Sequence, residues 1–265
     1  MTQQLALKKF DFSKTDDRRV FLICSKRNSG KSQLTADLLY HKRHIPMGII
    51  MSSTEEATGF FKGVCGIPDQ YVYGEWRPEV IDAIIANQKK LAKLGKMQNC
   101  FIVLDDLAFD KKMFSSTQMR ELLYNGRHVG ICLIITAQFL GDLPTFFRAN
   151  LDYAIALRTP GLQDRERLWK NFFGAVPTFH MFQSVMDATT EDYHCLVMDN
   201  TTQSNSLNDQ IYWYKAPLRS ATMNNFRIGC TAFHQFARQR GRKDKPETQT
   251  VHGKKQPLIV RRIGR

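Results

Sequence analysis

The stretch Phe21-Leu22-Ile23-Cys24-Ser25-Lys26-Arg27-Asn28-Ser29-Gly30-Lys31-Ser32 decides the fold. Four apolar residues of strand character run into a short polar loop. The loop closes on Gly-Lys-Ser, and a helical pattern follows from Gln33 to His41. Strand, loop and helix in that order form a phosphate cradle, because the N–H groups of the loop and of the helix N-terminus converge on an anion. Lys31 brings a point charge to the terminal phosphates, and the Ser32 hydroxyl is suited to Mg²⁺. The candidate nucleotide-binding residues are therefore Ser25, Lys26, Arg27, Asn28, Ser29, Gly30, Lys31, Ser32 and Gln33, with ATP and Mg²⁺ as the implied ligands. Ser25 stands where the full motif opens with glycine. The Gly-Lys-Ser/Thr tripeptide alone arises by chance in roughly one chain in ten of this length, so the flanking elements and a second motif carry the reading.

That second motif is Phe101-Ile102-Val103-Leu104-Asp105-Asp106. A buried strand of this kind delivers its carboxylates at the C-terminal edge of an α/β sheet, where ligands bind. Asp105 is placed to orient Mg²⁺ through the Ser32 hydroxyl or a water, making Ser32 and Asp105 the metal candidates. Asp106 is the candidate to polarise an attacking water. Gln138 ends the strand pattern Ile134-Ile135-Thr136-Ala137 and is a candidate to hydrogen-bond the γ-phosphate or that water. Arg127 follows Gly126 just before this strand, at the opposite end of the sheet from its own nucleotide. There it reads either as an arginine finger toward a neighbouring subunit's nucleotide, which contributes about 10³–10⁵ in rate, or as a surface salt-bridge arginine.

Short apolar runs alternate with longer helical patterns, which predicts an α/β fold with a mostly parallel sheet. Strands are expected at Phe21–Cys24, Gly48–Ser52, Cys100–Leu104, Ile131–Ile135 and Leu151–Leu157, with two more at His194–Met198 and Gln210–Tyr214 near the end of the sheet. Helices are expected from Pro78 to Leu94, from Ser115 to Tyr124 with Ser115 or Ser116 as cap, and from Asp164 to Phe173. The apolar period fades at Gln239, which divides the chain into an ATPase-type domain over 1–238 and a basic tail over 239–265.

The 265 residues carry a net charge of +13, and +8 of it lies between Arg238 and Arg265. A polyanion such as a nucleic acid is the natural partner of such a tail, the alternatives being a disordered, solubilising tail or a localisation signal. The six cysteines are scattered, with no Cys-x-x-Cys pair, and read as buried small hydrophobes in a reducing compartment. No zinc constellation, secretory leader or membrane-length apolar run is visible, so an intracellular, unsecreted protein is expected.

The order of these motifs resembles the poxvirus-type DNA-packaging ATPases of nucleocytoplasmic large DNA viruses, a branch of the FtsK–HerA superfamily. Asp105-Asp106, Gly126-Arg127-His128 and Thr136-Ala137-Gln138 carry the resemblance together with the phosphate loop. Weaker echoes are Arg148-Ala149-Asn150-Leu151-Asp152-Tyr153, Tyr193–Asp199 and Ile211–Ala216. The resemblance implies a RecA-like P-loop NTPase core with central strand order 5-1-4-3-2 and helices on both faces. It also implies a sensor role for Gln138 and a trans-acting Arg127. It further implies a homo-oligomeric ring that drives double-stranded DNA into capsids, with capsid or portal-type partners, in the host cytoplasm and the virion. Ser25 and the Asp at position 106, where the family has Glu, depart from its pattern. A P-loop nucleotide or nucleoside kinase and a non-catalytic, nucleotide-gated DNA-binding scaffold are the alternatives. Arg158, Arg165, Arg167 and Lys170 read either as a DNA path or as a solvated helix face.

Overall fold

The computed structural model describes residues 5–26, 28–107, 111–138 and 144–243. Arg27 and the tail beyond 243 lie outside the described residues. The strands are β1 (Lys8–Lys9), β2 (Val20–Cys24), β3 (Met47–Ser52), β4 (Val72–Tyr73), β5 (Cys100–Asp105), β6 (Ile131–Ala137), β7 (Tyr153–Ala156), β8 (His194–Asp199) and β9 (Ile211–Lys215). The helices are α1 (Lys31–His41), α2 (Glu55–Thr58), α3 (Phe60–Cys65), α4 (Pro78–Lys93), α5 (Lys111–Ser115) and α6 (Thr117–Asn125) in the first half. In the second half they are α7 (Thr145–Ala149), α8 (Leu162–Phe172), α9 (Phe179–Thr189), α10 (Leu207–Gln210) and α11 (Thr231–Lys243).

The strands form one sheet in the order β1-β9-β8-β7-β2-β6-β5-β3-β4. Its middle, β7-β2-β6-β5-β3, is the expected 5-1-4-3-2 arrangement. The whole order is longer than expected and not purely parallel, because β8 runs antiparallel to both β7 and β9. Two-residue edge strands close the sheet at each side. Short edges of this kind offer little for another chain to pair with.

Central strands of a parallel sheet are covered on both faces and read as continuous apolar runs. Side chains alternate between the faces. Val20, Leu22 and Cys24 join a core under α4, α6, α8 and α9, while Phe21 and Ile23 join one under α1, α3 and α11. Gly48 in β3 is required by close approach, since a Cβ there would meet the Phe101 carbonyl oxygen at 2.3 Å.

Two expectations change at this level. The helix read from Ser115 to Tyr124 is two helices broken at Ser116, whose hydroxyl accepts the Met119 N–H and caps α6. The last helix runs on past Gln239 to Lys243, further than the apolar period suggested. Five of the six cysteines are buried, and all six are free thiols. Burial pushes the thiols of Cys24, Cys65, Cys132 and Cys195 well upward, consistent with inert packing. No helix among the described residues is long and apolar enough to cross a membrane.

The segment after β9 is pinned onto α1 by a buried ion pair. Arg219 donates to Asp37 from Nε at 3.0 Å and Nη2 at 2.7 Å, and it stacks 3.9 Å over the Tyr40 ring. Tyr214 donates its hydroxyl to the other Asp37 oxygen at 2.5 Å. Removing one partner of such a pair leaves a buried charge uncompensated, which costs about 3–5 kcal/mol. Arg219→Met is expected to lose that amount in urea unfolding, and a loss under ~1 kcal/mol would mean that Asp37 finds another partner.

Candidate active site at the C-terminal edge of the sheet

The phosphate loop leaves β2 buried between β6 and β7. Its first residue stays in register, because the Ser25 N–H donates to the Ala137 carbonyl at 3.1 Å. The Ser25 hydroxyl is buried with no hydrogen-bond partner. Asn28 and Gly30 take positive φ, 59° and 92°, so the loop doubles back before α1 begins. Gly30 caps α1 without a side-chain bond. The first-turn N–H groups of α1 therefore face the loop's concavity, the arrangement that binds phosphate. Ser29 closes the loop internally by donating to the Lys26 carbonyl at 2.6 Å, and Lys26 pairs with Asp164 at 3.0 Å. Ser32 and Gln33 lie half-buried in the first turn of α1, where the Gln33 amide is held by the backbone of Arg219.

Three of the candidates converge. Lys31, only 7% exposed, forms an ion pair with one Asp106 oxygen, and Gln138 donates to the other. Asp106 adopts a left-handed backbone, φ 56°, which turns it off the end of β5 toward the loop. Thr136 holds this turn: its hydroxyl accepts the Asp106 N–H at 3.0 Å and donates to Asp105 at 2.8 Å. Asp105 is 1% exposed and accepts a second bond, from Ser52 at 2.9 Å. Burial raises its carboxyl above the ordinary range, opposed by the Thr136 bond and the Lys31 charge. Thr136 and Ser52 are the residues that sequence reasoning missed as functional parts. In the sequence Thr136 reads only as part of the strand that Gln138 ends, and Ser52 carries no signal beyond ending β3.

The residues present fit a triphosphate with magnesium. A hard cation takes oxygen ligands, usually one or two carboxylates with phosphate oxygens and water. Asp105 and the Ser32 hydroxyl are the donors of that kind here. No cluster of three His, Cys, Asp or Glu residues among the described residues could hold a metal by itself. A bound ion would neutralise charge building up on the phosphate oxygens. The chain's own contribution is separate. A phosphate in the loop would compete with Asp106 for the Lys31 ammonium, and an Asp106 carboxylate released in that way would lie beside the Gln138 amide.

Arg127 is not part of this cluster. It lies in the short 3-10 turn Gly126–Val129, at the N-terminal end of β6 and hence on the opposite edge of the sheet. It lines a polar cavity of about 310 Å³ with Arg148, Asn150, Asp152, Asn171 and Asn200. Its Nε is buried without a partner. The supposed basic path is largely paired: Arg165 with Asp187, Arg167 with Asp164, Lys170 with Glu166. That favours the solvated helix face, with only Arg158 left exposed and outside these pairs.

A mostly parallel α/β sheet with this loop on its C-terminal edge is the architecture of the P-loop ATPases. The genome packaging NTPase B204 from Sulfolobus turreted icosahedral virus 2, solved in complex with ATP-gammaS, shares the fold. The match has a TM-score of 0.52 and 20% identity, and it covers 77% of this chain and 100% of that one. No family model matches the chain. The chain belongs to the family of the uncharacterized protein 088R of Invertebrate iridescent virus 3, being 32% identical to it over 219 residues, 82% of this chain and 83% of that protein. The uncharacterized protein 015R of Frog virus 3 is 33% identical over 219 residues, and this chain spans 66% of its length.

The raised Asp105 carboxyl has a signed consequence. Between the ordinary carboxylate pKa and the raised folded value, the native state binds more protons than the unfolded one, so stability falls as pH rises through that window. Asp105→Asn removes this loss. Its melting temperature is expected to equal or exceed the unmodified protein's at neutral pH, with the difference shrinking toward acid. A variant that melts lower at neutral pH and gains nothing across the titration would refute the burial account.

Proposed function

We propose that the chain is an ATP-hydrolysing motor subunit that moves double-stranded viral DNA into a capsid. It works as a homo-oligomeric ring with each nucleotide between two copies, and it docks to capsid or portal-type proteins in the host cytoplasm. One observation carries this reading. Lys31, Asp106 and Gln138 converge on one edge of the sheet, while Arg127, partly buried and with an Nε that has no partner among the described residues, sits on the other. A guanidinium kept from its own site and given no acid partner is suited to an anion from outside the subunit. Two copies stacked edge to edge would bring that guanidinium to a neighbour's triphosphate.

Several features support the rest of the reading. The fold is shared with a genome packaging NTPase from a virus. The relatives are proteins of large DNA viruses. The excess of positive charge from Arg238 onward suits a DNA phosphate backbone. Asp106 is one methylene shorter than the Glu of the resembled family, and the left-handed turn that Thr136 holds brings its carboxylate up to Lys31 and Gln138.

Two measurements test the proposal. ATP turnover by the assembled protein is expected to rise with long duplex DNA and to fall with salt. Contact with about six phosphates gives a log–log salt slope of DNA binding near −5. Turnover indifferent to DNA, or phosphate passed to a small acceptor, would overturn the motor reading. Separately, Lys31→Ala is expected to abolish turnover, and Arg127→Ala to reduce it by about 10³-fold while ATP still binds. Mixing Arg127→Ala with Asp106→Asn subunits then restores part of the activity, because some interfaces carry both intact residues. Normal hydrolysis by Arg127→Ala would refute the shared site.

A further inference from the structure

We infer that Tyr193 is the base-stacking residue of the nucleotide site, with Leu218 completing the apolar slot on the same face of α1. This rests on the nucleotide reading above and extends it from the phosphates to the nucleoside end.

Tyr193 lies in the turn that enters β8. The turn closes with the His194 N–H on the Glu191 carbonyl at 3.0 Å, and both central residues take positive φ, Asp192 at 47° and Tyr193 at 59°. That backbone disfavours a bulky aromatic residue. The turn is nevertheless anchored, since Asp192 pairs with Lys215 at the end of β9. Tyr193 is 63% exposed, so the core does not account for its ring. The ring instead lies against the phosphate loop: a Cβ added to Gly30 would meet Tyr193 Cδ1 at 3.1 Å.

Its side of the loop matters. The acids and Gln138 come from β5 and β6, on one side of β2. Tyr193 comes from β8, on the other side, and β8 starts at the same edge because it runs antiparallel to β7. With the terminal phosphate toward Asp106 and Gln138, the nucleoside leaves the loop toward β8. From β6 to β8 is three strand spacings, about 14 Å, which matches the reach of an extended nucleoside triphosphate.

Leu218 is 61% exposed and precedes Arg219, whose backbone N–H and carbonyl are both held by the Gln33 side chain. Gly30 and Gln33 are three residues apart and share one face of α1. Tyr193 and Leu218 therefore flank the same turn of that helix. An exposed aromatic ring and an exposed aliphatic side chain beside a phosphate site suit the two faces of a nucleobase.

The test is calorimetric titration of the full chain with Mg–ATP and with Mg–tripolyphosphate, which has no base. Asn tolerates the left-handed backbone, so Tyr193→Asn removes the ring without straining the turn. Its Kd for ATP is expected to rise about tenfold, with tripolyphosphate affinity and melting temperature maintained. Tyr193→Phe is expected to bind ATP as the unmodified protein does. An Asn variant that binds ATP normally overturns the inference. So does one that loses tripolyphosphate as much as ATP, because the ring would then only buttress the loop. If the unmodified protein binds neither ligand, the nucleotide reading itself fails and takes this inference with it.

Discussion

The pairing of β2 with β6 is the constraint on which the site depends. Cys24 stands opposite Ala137 in register, and the Ser25 N–H extends the ladder by one more bond to the Ala137 carbonyl. Both strands are buried on both faces, so a slip of one residue would push each apolar set into the opposite core, which is packed around different side chains. That register puts the first loop residue and Gln138 at the same height above the sheet. The β3–β5 pairing does the same for Ser52 and Asp105. Four residues far apart in sequence thus reach one edge through backbone hydrogen bonding alone.

Electrostatics then sets what the edge can do. Lys31 and Asp106 are largely removed from water and joined as a pair. Two such charges are tolerable together and costly apart. Asp105 is held differently. Its two hydroxyl donors keep it fixed, while burial makes the carboxylate expensive to keep ionised. An α/β sheet concentrates such costs at one edge and offsets them with two apolar cores below.

The other edge of the same sheet carries the opposite charge problem. Arg127 and Arg148 line one polar cavity, each with a buried Nε lacking a partner among the described residues, and Arg148 is met by the neutral Asn171 and Thr145. Asp152, the acid nearby, is already taken by Arg19 and the Val20 N–H. Carboxylates therefore gather at one end of the sheet and arginines at the other.

The amino-acid sequence alone determined the parallel core, the phosphate loop, Asp105, Asp106 and Gln138, because each is written in contiguous residues: an apolar run, then the polar group that the run delivers. It also located Arg127 at the far edge, since that residue precedes the strand that Gln138 ends. Tertiary structure alone decided the reversal of β8, the clamp of Thr136 and Ser52 on Asp105, the Asp37–Arg219 pair and the meeting of Tyr193 with Gly30. These join residues 31 to 182 positions apart. No local period or propensity encodes such contacts; they follow from which strands become neighbours and how far each extends past the edge.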